Sequence, residues 1–416
     1  MAELESSSSL QAGQLHPRTT SPNNRQLTEK TCYLPTAPIL EALRDLILRH
    51  NQSMPESASV KKEHLTQDER NYKNELLDEL HLSLLPAIQD QLSSLSTSLS
   101  LLQRASNPNP NFGLTCQILS ELDETMYETI YCIESAAIAT VPDDTQDHHM
   151  GRCKDFRCTH LVLSISDLID SLRSMFGYCT SFIESWQRST QYPDIPMYRT
   201  ATCRARGDLL KNINLCTRLA GNISRWTQVS DFEVLQDEWK EKLESFDSSL
   251  VDLVELTQSQ ISRQYNPTPL REHMVELARW TTLLIKLARM LLTNISNTRS
   301  KNLPFTLDAE MNSETLSLLK ERPDTMVYLF GCLVITLSDS CARDTLMGGQ
   351  AAIRDQIQKL TFTFESTLVV LAAHNIALPL EIDPSTLEND FETWLSEWQK
   401  SWHTGIRHFL GVLDSF

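Results

Sequence analysis

The chain is short of glycine, with 11 residues in 416, where average usage of about 7 % gives roughly 29. That scarcity removes most loops that bring backbone close to a ligand. Phosphate cradles, dinucleotide turns and nucleophile elbows all use glycine at fixed offsets. No Gly-x-Ser-x-Gly, Walker lysine or His-Glu-x-x-His pattern occurs. Long apolar runs are missing too. The longest, Met326 to Leu337, falls short of the ~20 residues a membrane span needs and suits a buried core helix. The start, Met1-Ala2-Glu3-Leu4-Glu5 and then Ser6 to Ser9, has neither a basic nor an apolar leader region, so no signal peptide is expected. No run alternates with period 2 between turn residues, so no sheet is expected. Nor is there a fixed-period repeat.

Positive charge is also scarce. Lys and Arg number 37 against 54 Asp and Glu, a formal net charge of −17. Phosphate backbones repel such a chain, and no nucleic-acid partner is expected. The imbalance is uneven. Residues 1–150 carry 10 basic and 21 acidic side chains, residues 151–301 carry 20 and 17, and residues 302–416 carry 7 and 16. The basic middle third is read first as facing the acidic flanks inside the molecule, and second as a face for an acidic partner. With neither a leader nor a membrane span expected, the chain is expected in the cytosol or, second, the nucleus, compartments that keep thiols reduced, so the ten cysteines are expected to be free. Cys116, Cys132, Cys179, Cys216 and Cys332 lie among apolar neighbours, where Cys acts as a small hydrophobe.

What is present is apolar spacing of 3 to 4 residues in every segment beyond residue 35, the signature of amphipathic helix. Residues 1–35 have few apolar side chains and are expected to form a disordered tail. The first helix is expected from Thr36, an N-cap candidate with Pro38 in its first turn. Thr66–Glu69 and Ser230–Glu233 read as capping boxes. Pro86 is expected to kink or break the helix opened at Thr66. Helices follow over about 113–139, 157–188, 199–226 and 231–263. A run from Met274 to Ile295 comes next, then a short helix near 313–321, an apolar one near 325–343, one over 350–374, and a last one opened by Asp383-Pro384. The fold class is all-α: two packed antiparallel up-and-down bundles, divided as 36–195 and 196–416.

Several constellations invite a chemical reading. His148, His149, Cys153, Cys158 and His160 are ligand types that zinc prefers, but their spacing fits neither a finger nor a ribbon. A solvated loop entering a helix is the preferred reading. Asp143, Asp144 and Asp147 lack the glycine and spacing of a calcium loop. Gly348-Gly349 before a helix could bind an anion, yet a tight interhelical turn explains it better. Arg199, Arg204, Arg206, Lys211, Arg218 and Arg225 give one helix a basic side, read as solvated or internally paired. Trp394, Trp398 and Trp402 fall on one helix face. They are read as core because Leu387, Phe391, Leu395, Ile406 and Phe409 extend the same side. No catalytic, cofactor-binding or metal-binding residue is assigned, and no cofactor is expected.

The stretches Ile39–Leu46, Cys116–Thr125, Phe232–Trp239, Ile285–Arg289 and Trp394–Phe409 together resemble a set of uncharacterised helical proteins of about this length found in rust fungi. The resemblance covers residues 36–413. That set has no assigned activity, so the resemblance implies no site residues. In helix pattern alone the chain also resembles the cyclin-D1-binding-protein and vinculin/catenin type of antiparallel bundle, and fold by itself does not imply function. The expected role is a non-catalytic scaffold or adaptor that binds another protein through helix faces, with no membrane partner. The alternative is an enzyme or small-ligand binder using a cavity inside a bundle.

Overall fold

A computed structural model describes residues 36–50, 65–102, 109–138, 147–259, 268–297, 305–307, 311–377 and 384–415. The expected tail over 1–35 lies outside these residues, as do the carboxylates Asp143 and Asp144. Thr36–Phe416 form one compact unit. Its helices are α1 (Ala37–Arg49), α2 (Gln67–Glu79), α3 (Leu85–Ser98), α4 (Phe112–Ile133), α5 (Asp155–Gln191), α6 (Pro196–Trp226), α7 (Asp231–Leu243), α8 (Ser245–Ser259), α9 (Pro269–Ser296), α10 (Ser313–Arg343), α11 (Gly349–Ala373) and α12 (Pro384–Asp414). The fold is all-α, as the periodicity predicts, with long helices packed as antiparallel bundles.

The apolar stripes are what pack. In α5, Leu161, Ile165, Leu168, Leu172, Phe176, Cys179 and Ile183 are buried at intervals of three, four and seven residues. In α6, Leu209, Ile213, Cys216, Ala220 and Ile223 do the same. The two helices form the most extensive helix pair among the described residues, so the division expected at 195/196 falls in the short link of a tightly packed hairpin. α1, α3 and α4 complete the N-terminal packing, and α8 to α12 the C-terminal packing, with α7 against α9 and α10.

Both capping boxes form. Thr66 and Ser230 each accept from the backbone N–H three residues on, and Glu69 and Glu233 reach back to the cap N–H. Thr36 does not cap α1; its hydroxyl donates to Gln187 Oε1 at 3.2 Å instead. Gly348 and Gly349 have φ of +71° and +74°, values that L side chains rarely adopt, and make the α10–α11 turn.

Two prolines are built into helix. The short helix expected near 313–321 and the apolar one near 325–343 are a single helix, α10, which runs unbroken over Ser313–Arg343 with Pro323 inside it. Proline has no N–H to give the carbonyl four residues earlier. That carbonyl belongs to Leu319, and the buried Trp239 indole of α7 donates to it at 3.0 Å. Pro86 is absorbed by a π-turn over Leu80–Leu84, in which the Leu85 N–H reaches Leu80 O. In that register Pro86 leaves the His81 carbonyl without a backbone donor, and Ser224 Oγ of α6 supplies one at 3.3 Å. In each case a side chain from another helix replaces the lost backbone bond, so the main chain stays helical.

Three further expectations change. The helix expected over 231–263 bends at Glu244 into α7 and α8, and both halves pack on α9 with Trp239 and Phe246 fully buried. A sheet was not expected, yet Phe305–Leu307 (β1) and Asn375–Ala377 (β2) pair antiparallel, Thr306 opposite Ile376. The links entering α10 and leaving α11 run side by side and satisfy each other's backbone groups. Three residues are too few to show period-2 alternation. Finally, α10 is by length and composition a helix that could cross a membrane; it packs against α7, α8, α9 and α11.

The tryptophan stripe of α12 is core. Trp398 is 2 % and Trp402 1 % exposed, and Trp394 is half-buried. The rings of Trp398 and Trp402 stack at 5.5 Å, and Phe364 of α11 lies 4.2 Å from Trp402. Trp398 Nε1 donates to Leu287 O at 2.9 Å. Two turns on, a Cβ at Gly405 would meet Leu284 Cδ2 at 3.0 Å, so glycine lets α12 approach α9 closely. Trp398→Ala is expected to cost roughly 3–5 kcal/mol by urea unfolding, as for other large-to-small aromatic changes in cores. A loss near zero would place this stripe outside the core.

Candidate functional site

Among the described cysteines Cys203 is exposed, Cys116 and Cys332 are half-buried and the others are buried. All are free, and burial pushes the Cys132 thiol up to about 11 and the Cys216 thiol up to about 12. A reactive thiol needs the opposite shift. Burial likewise holds the Lys73 ammonium below its ordinary range. Its Nζ donates to Ser135 O and Ala136 O, at 3.1 and 2.6 Å, and so tethers the π-turn that ends α4.

The histidine–cysteine constellation is dispersed. Cys153 is buried with Sγ 3.9 Å from Asn74 Oδ1. Cys158 is buried within α5. His148 and His149 meet each other edge to face at 5.2 Å, and His160 lies against Trp226. Among the described residues no group of three His, Cys, Asp or Glu is placed to hold a metal ion. Asp147, read as a loop carboxylate, is fully buried and structural. It accepts from Asp155 N at 2.7 Å, from Ser313 N at 2.9 Å and from Ser313 Oγ. The basic side of α6 is partly spent inside the molecule. Arg206 donates to Leu101 O at 2.8 Å and Arg225 pairs with Asp237 at 2.6 Å, while Arg199, Arg204 and Arg218 are exposed.

One buried junction gathers four helix ends. Asp231, the first residue of α7, accepts from Lys154 Nζ at 2.8 Å and Arg157 Nη1 at 2.9 Å. Arg157 also donates to the carbonyls of Trp226, at 3.2 Å, and Val229, at 2.9 Å. It thereby neutralises the negative end of α6. At the start of α5 the Phe156 N–H donates to Ser313 Oγ at 2.7 Å, which ties α5 to the start of α10. Sequence reasoning singled out Asp231 only as part of a cap and missed Arg157 as a ligand. No local pattern marks either, because their partners are more than 70 residues away.

Beside this junction opens a cleft of about 340 Å³ between α5, α6 and α7. Leu219, Ile223 and Val234 give it an apolar wall, and Asp167, Asp237, Glu238 and Glu241 face Arg225 on the polar side. Trp226 lines it and carries two neighbours on its ring: His160 stacks at 4.4 Å, 18° from parallel, and the Arg157 guanidinium lies 5.2 Å from the ring centre. Lys320 Nζ is 3.0 Å from His160 Nδ1, and Glu238 Oε1 is 3.2 Å from the same nitrogen. An ammonium can only donate, so Nδ1 accepts and the ring proton sits on Nε2. Burial, then the charges of Lys320 and Arg157, lower the His160 pKa from 6.5 to about 4. The imidazole is neutral at physiological pH, and its contact with Glu238 is not an ion pair. A larger cavity of about 500 Å³ lies between α8, α9 and α10, lined by Asp252, Glu255, Arg271, Ile335 and Asp339.

Residues 73–228 match the family model of a domain of unknown function (DUF8723). Residues 230–411 match that of a second domain of unknown function (DUF8721). No curated protein matches the chain. The two matches meet between α6 and α7, at the Ser230 capping box. The cleft therefore takes His160 and Trp226 from one matched domain and Glu238 and Glu241 from the other, and domain junctions are a common place for ligand sites.

His160 gives the site a pH signature. Between pH 6.5 and about 4 the unfolded chain binds a proton that folded His160 does not. Stability therefore falls as pH drops through that window, and the loss is complete below the folded value. Urea unfolding at about pH 7 and about pH 4.5 is expected to show roughly 2 kcal/mol less acid loss in His160→Gln than in the parent. Equal acid sensitivity in both proteins would contradict a buried neutral imidazole.

Proposed function

We propose that the chain is a non-catalytic helical scaffold or adaptor that binds another protein through its helix faces. The observation that carries this reading is a pair of exposed large apolar side chains on each of α10 and α11. Tyr328 and Ile335 on α10 are 69 % and 64 % exposed, and Phe362 and Val369 on α11 are 68 % and 67 % exposed. Each pair is seven residues apart and so lies on one side of its helix. Large aromatic and aliphatic side chains presented this way are the anchors by which helical surfaces dock partner helices. Burial raises the Cys132 and Cys216 thiols away from the range of a nucleophile, in keeping with this reading. Two matched domains without an assigned activity are compatible with it.

The finer reading places the chain with the helical proteins of rust fungi and, in architecture, beside the vinculin and catenin bundles. It works in the cytosol or the nucleus, with a protein rather than a nucleic acid or a membrane as its partner. The net charge of −17 supports the exclusion of nucleic acid. A cross-linking pull-down from native cells, run with the parent and with a Tyr328→Glu/Phe362→Glu variant, tests the reading. Both positions are exposed, so thermal stability is expected to change little. The expected outcome is a defined protein retained by the parent and lost by the variant. Identical recovery by both would remove this face as the docking surface.

A further inference from the structure

We infer that the cleft between α5, α6 and α7 is a slot for an arginine-bearing segment of a partner protein. The inference rests on the scaffold reading and names the chemistry of one docking point.

The first observation is an unused donor. Trp226 is 8 % exposed, and its Nε1–H has no acceptor within the structure. Buried donors left unpaired are uncommon in native proteins and costly. An acceptor delivered to this cleft would satisfy it. Four carboxylates against one guanidinium line the walls, so an anionic ligand is repelled. A neutral acceptor is favoured, and a peptide carbonyl is the commonest one a protein partner offers.

The second observation is unspent negative charge. Asp237 is paired with Arg225 at 2.6 Å, and Glu238 lies 3.4 Å from Lys320. Asp167 and Glu241 are exposed at the rim, and neither makes an ion pair among the described residues. The Trp226 ring already holds His160 stacked at 4.4 Å and the Arg157 guanidinium 5.2 Å from its centre. A second cation brought to the indole meets the Arg157 charge, so an incoming cation is drawn to the carboxylates. A guanidinium, with its planar fork of donors, suits several carboxylate oxygens at once better than an ammonium does.

The third observation separates a peptide from a small molecule. Beyond the Arg225–Asp237 bridge, which lines both spaces, a second cavity of about 330 Å³ continues the groove. There Ser296, only 2 % exposed, also has a side-chain oxygen without a partner. Two adjoining cavities, each with an unpaired buried polar group, fit an extended chain that crosses the bridge and places one residue in each.

Two-dimensional NMR of the indole N–H signals of the full chain tests this directly, with N-acetyl-arginine methylamide as the probe. The citrulline analogue, equal in shape and uncharged, is the control. The signal that vanishes in Trp226→Phe is expected to move downfield as the arginine probe is added. The citrulline probe is expected to bind about tenfold more weakly, and so is the arginine probe to Asp167→Asn/Glu241→Gln. If Trp226→Phe does not fold, the rim variant carries the test, because its two positions are exposed and loss of the shift is read in the folded protein. A Trp226 signal unmoved by the arginine probe, equal binding of citrulline, or an unaffected rim variant would each overturn the inference. Failure here leaves the Phe362 face untouched, and failure of the pull-down leaves this titration unchanged.

Discussion

The Asp231 carboxylate holds the molecule's helix ends together. It lies at the first residue of α7 and binds two cations from the start of α5, Lys154 and Arg157, both buried. Charges removed from water are tolerated only when paired and hydrogen-bonded. Asp231 therefore offsets charge on both Lys154 and Arg157, and Arg157 in turn supplies the donors that the last carbonyls of α6 lack. Asp147 extends the same logic to α10 through Ser313. The four helix ends meet where the two matched domains join, and the cleft floored by Trp226 and His160 is a consequence of that meeting. Arg157 and His160, one turn apart on α5, both lie against the Trp226 ring.

The same economy explains the prolines. Pro86 and Pro323 each free a carbonyl, and each carbonyl is met by a side chain from a neighbouring helix, Ser224 or Trp239. These contacts fix the rotation of one helix against another, because a hydrogen bond has direction where apolar packing does not. Trp239 thus both fills the space between α7 and α10 and keeps α10 continuous across Pro323. Trp398 plays a comparable part on the other side of the C-terminal packing, donating to Leu287 O.

Local features were legible in the sequence. The two capping boxes, the apolar stripes of α5, α6 and α9, the tryptophan face of α12 and the Gly348-Gly349 turn all depend on residues within a few positions of one another. Features that depend on distant partners were not. The continuity of α10 across Pro323 depends on Trp239, which donates to Leu319 O from 80 residues away. Asp147 reads as a solvated loop carboxylate, because nothing near it shows that Ser313 will cover it. The β1–β2 pair is too short to leave a pattern. His160 was singled out as a metal ligand type, whereas its neighbours Trp226, Lys320 and Glu238 make it a neutral wall of the cleft.

Unfolding of Asp231→Ala alone and with both cations removed tests the central claim most directly. Breaking a buried pair by deleting one partner leaves the other charge less well compensated, at a cost of roughly 3–5 kcal/mol. The single variant is expected to lose about that much stability in urea. Asp231→Ala combined with Lys154→Met and Arg157→Met is expected to regain a substantial part of it, because no buried charge is then left unpaired. A single variant within about 0.5 kcal/mol of the parent, the range of ordinary surface changes, would contradict the account. So would a triple variant whose losses simply add.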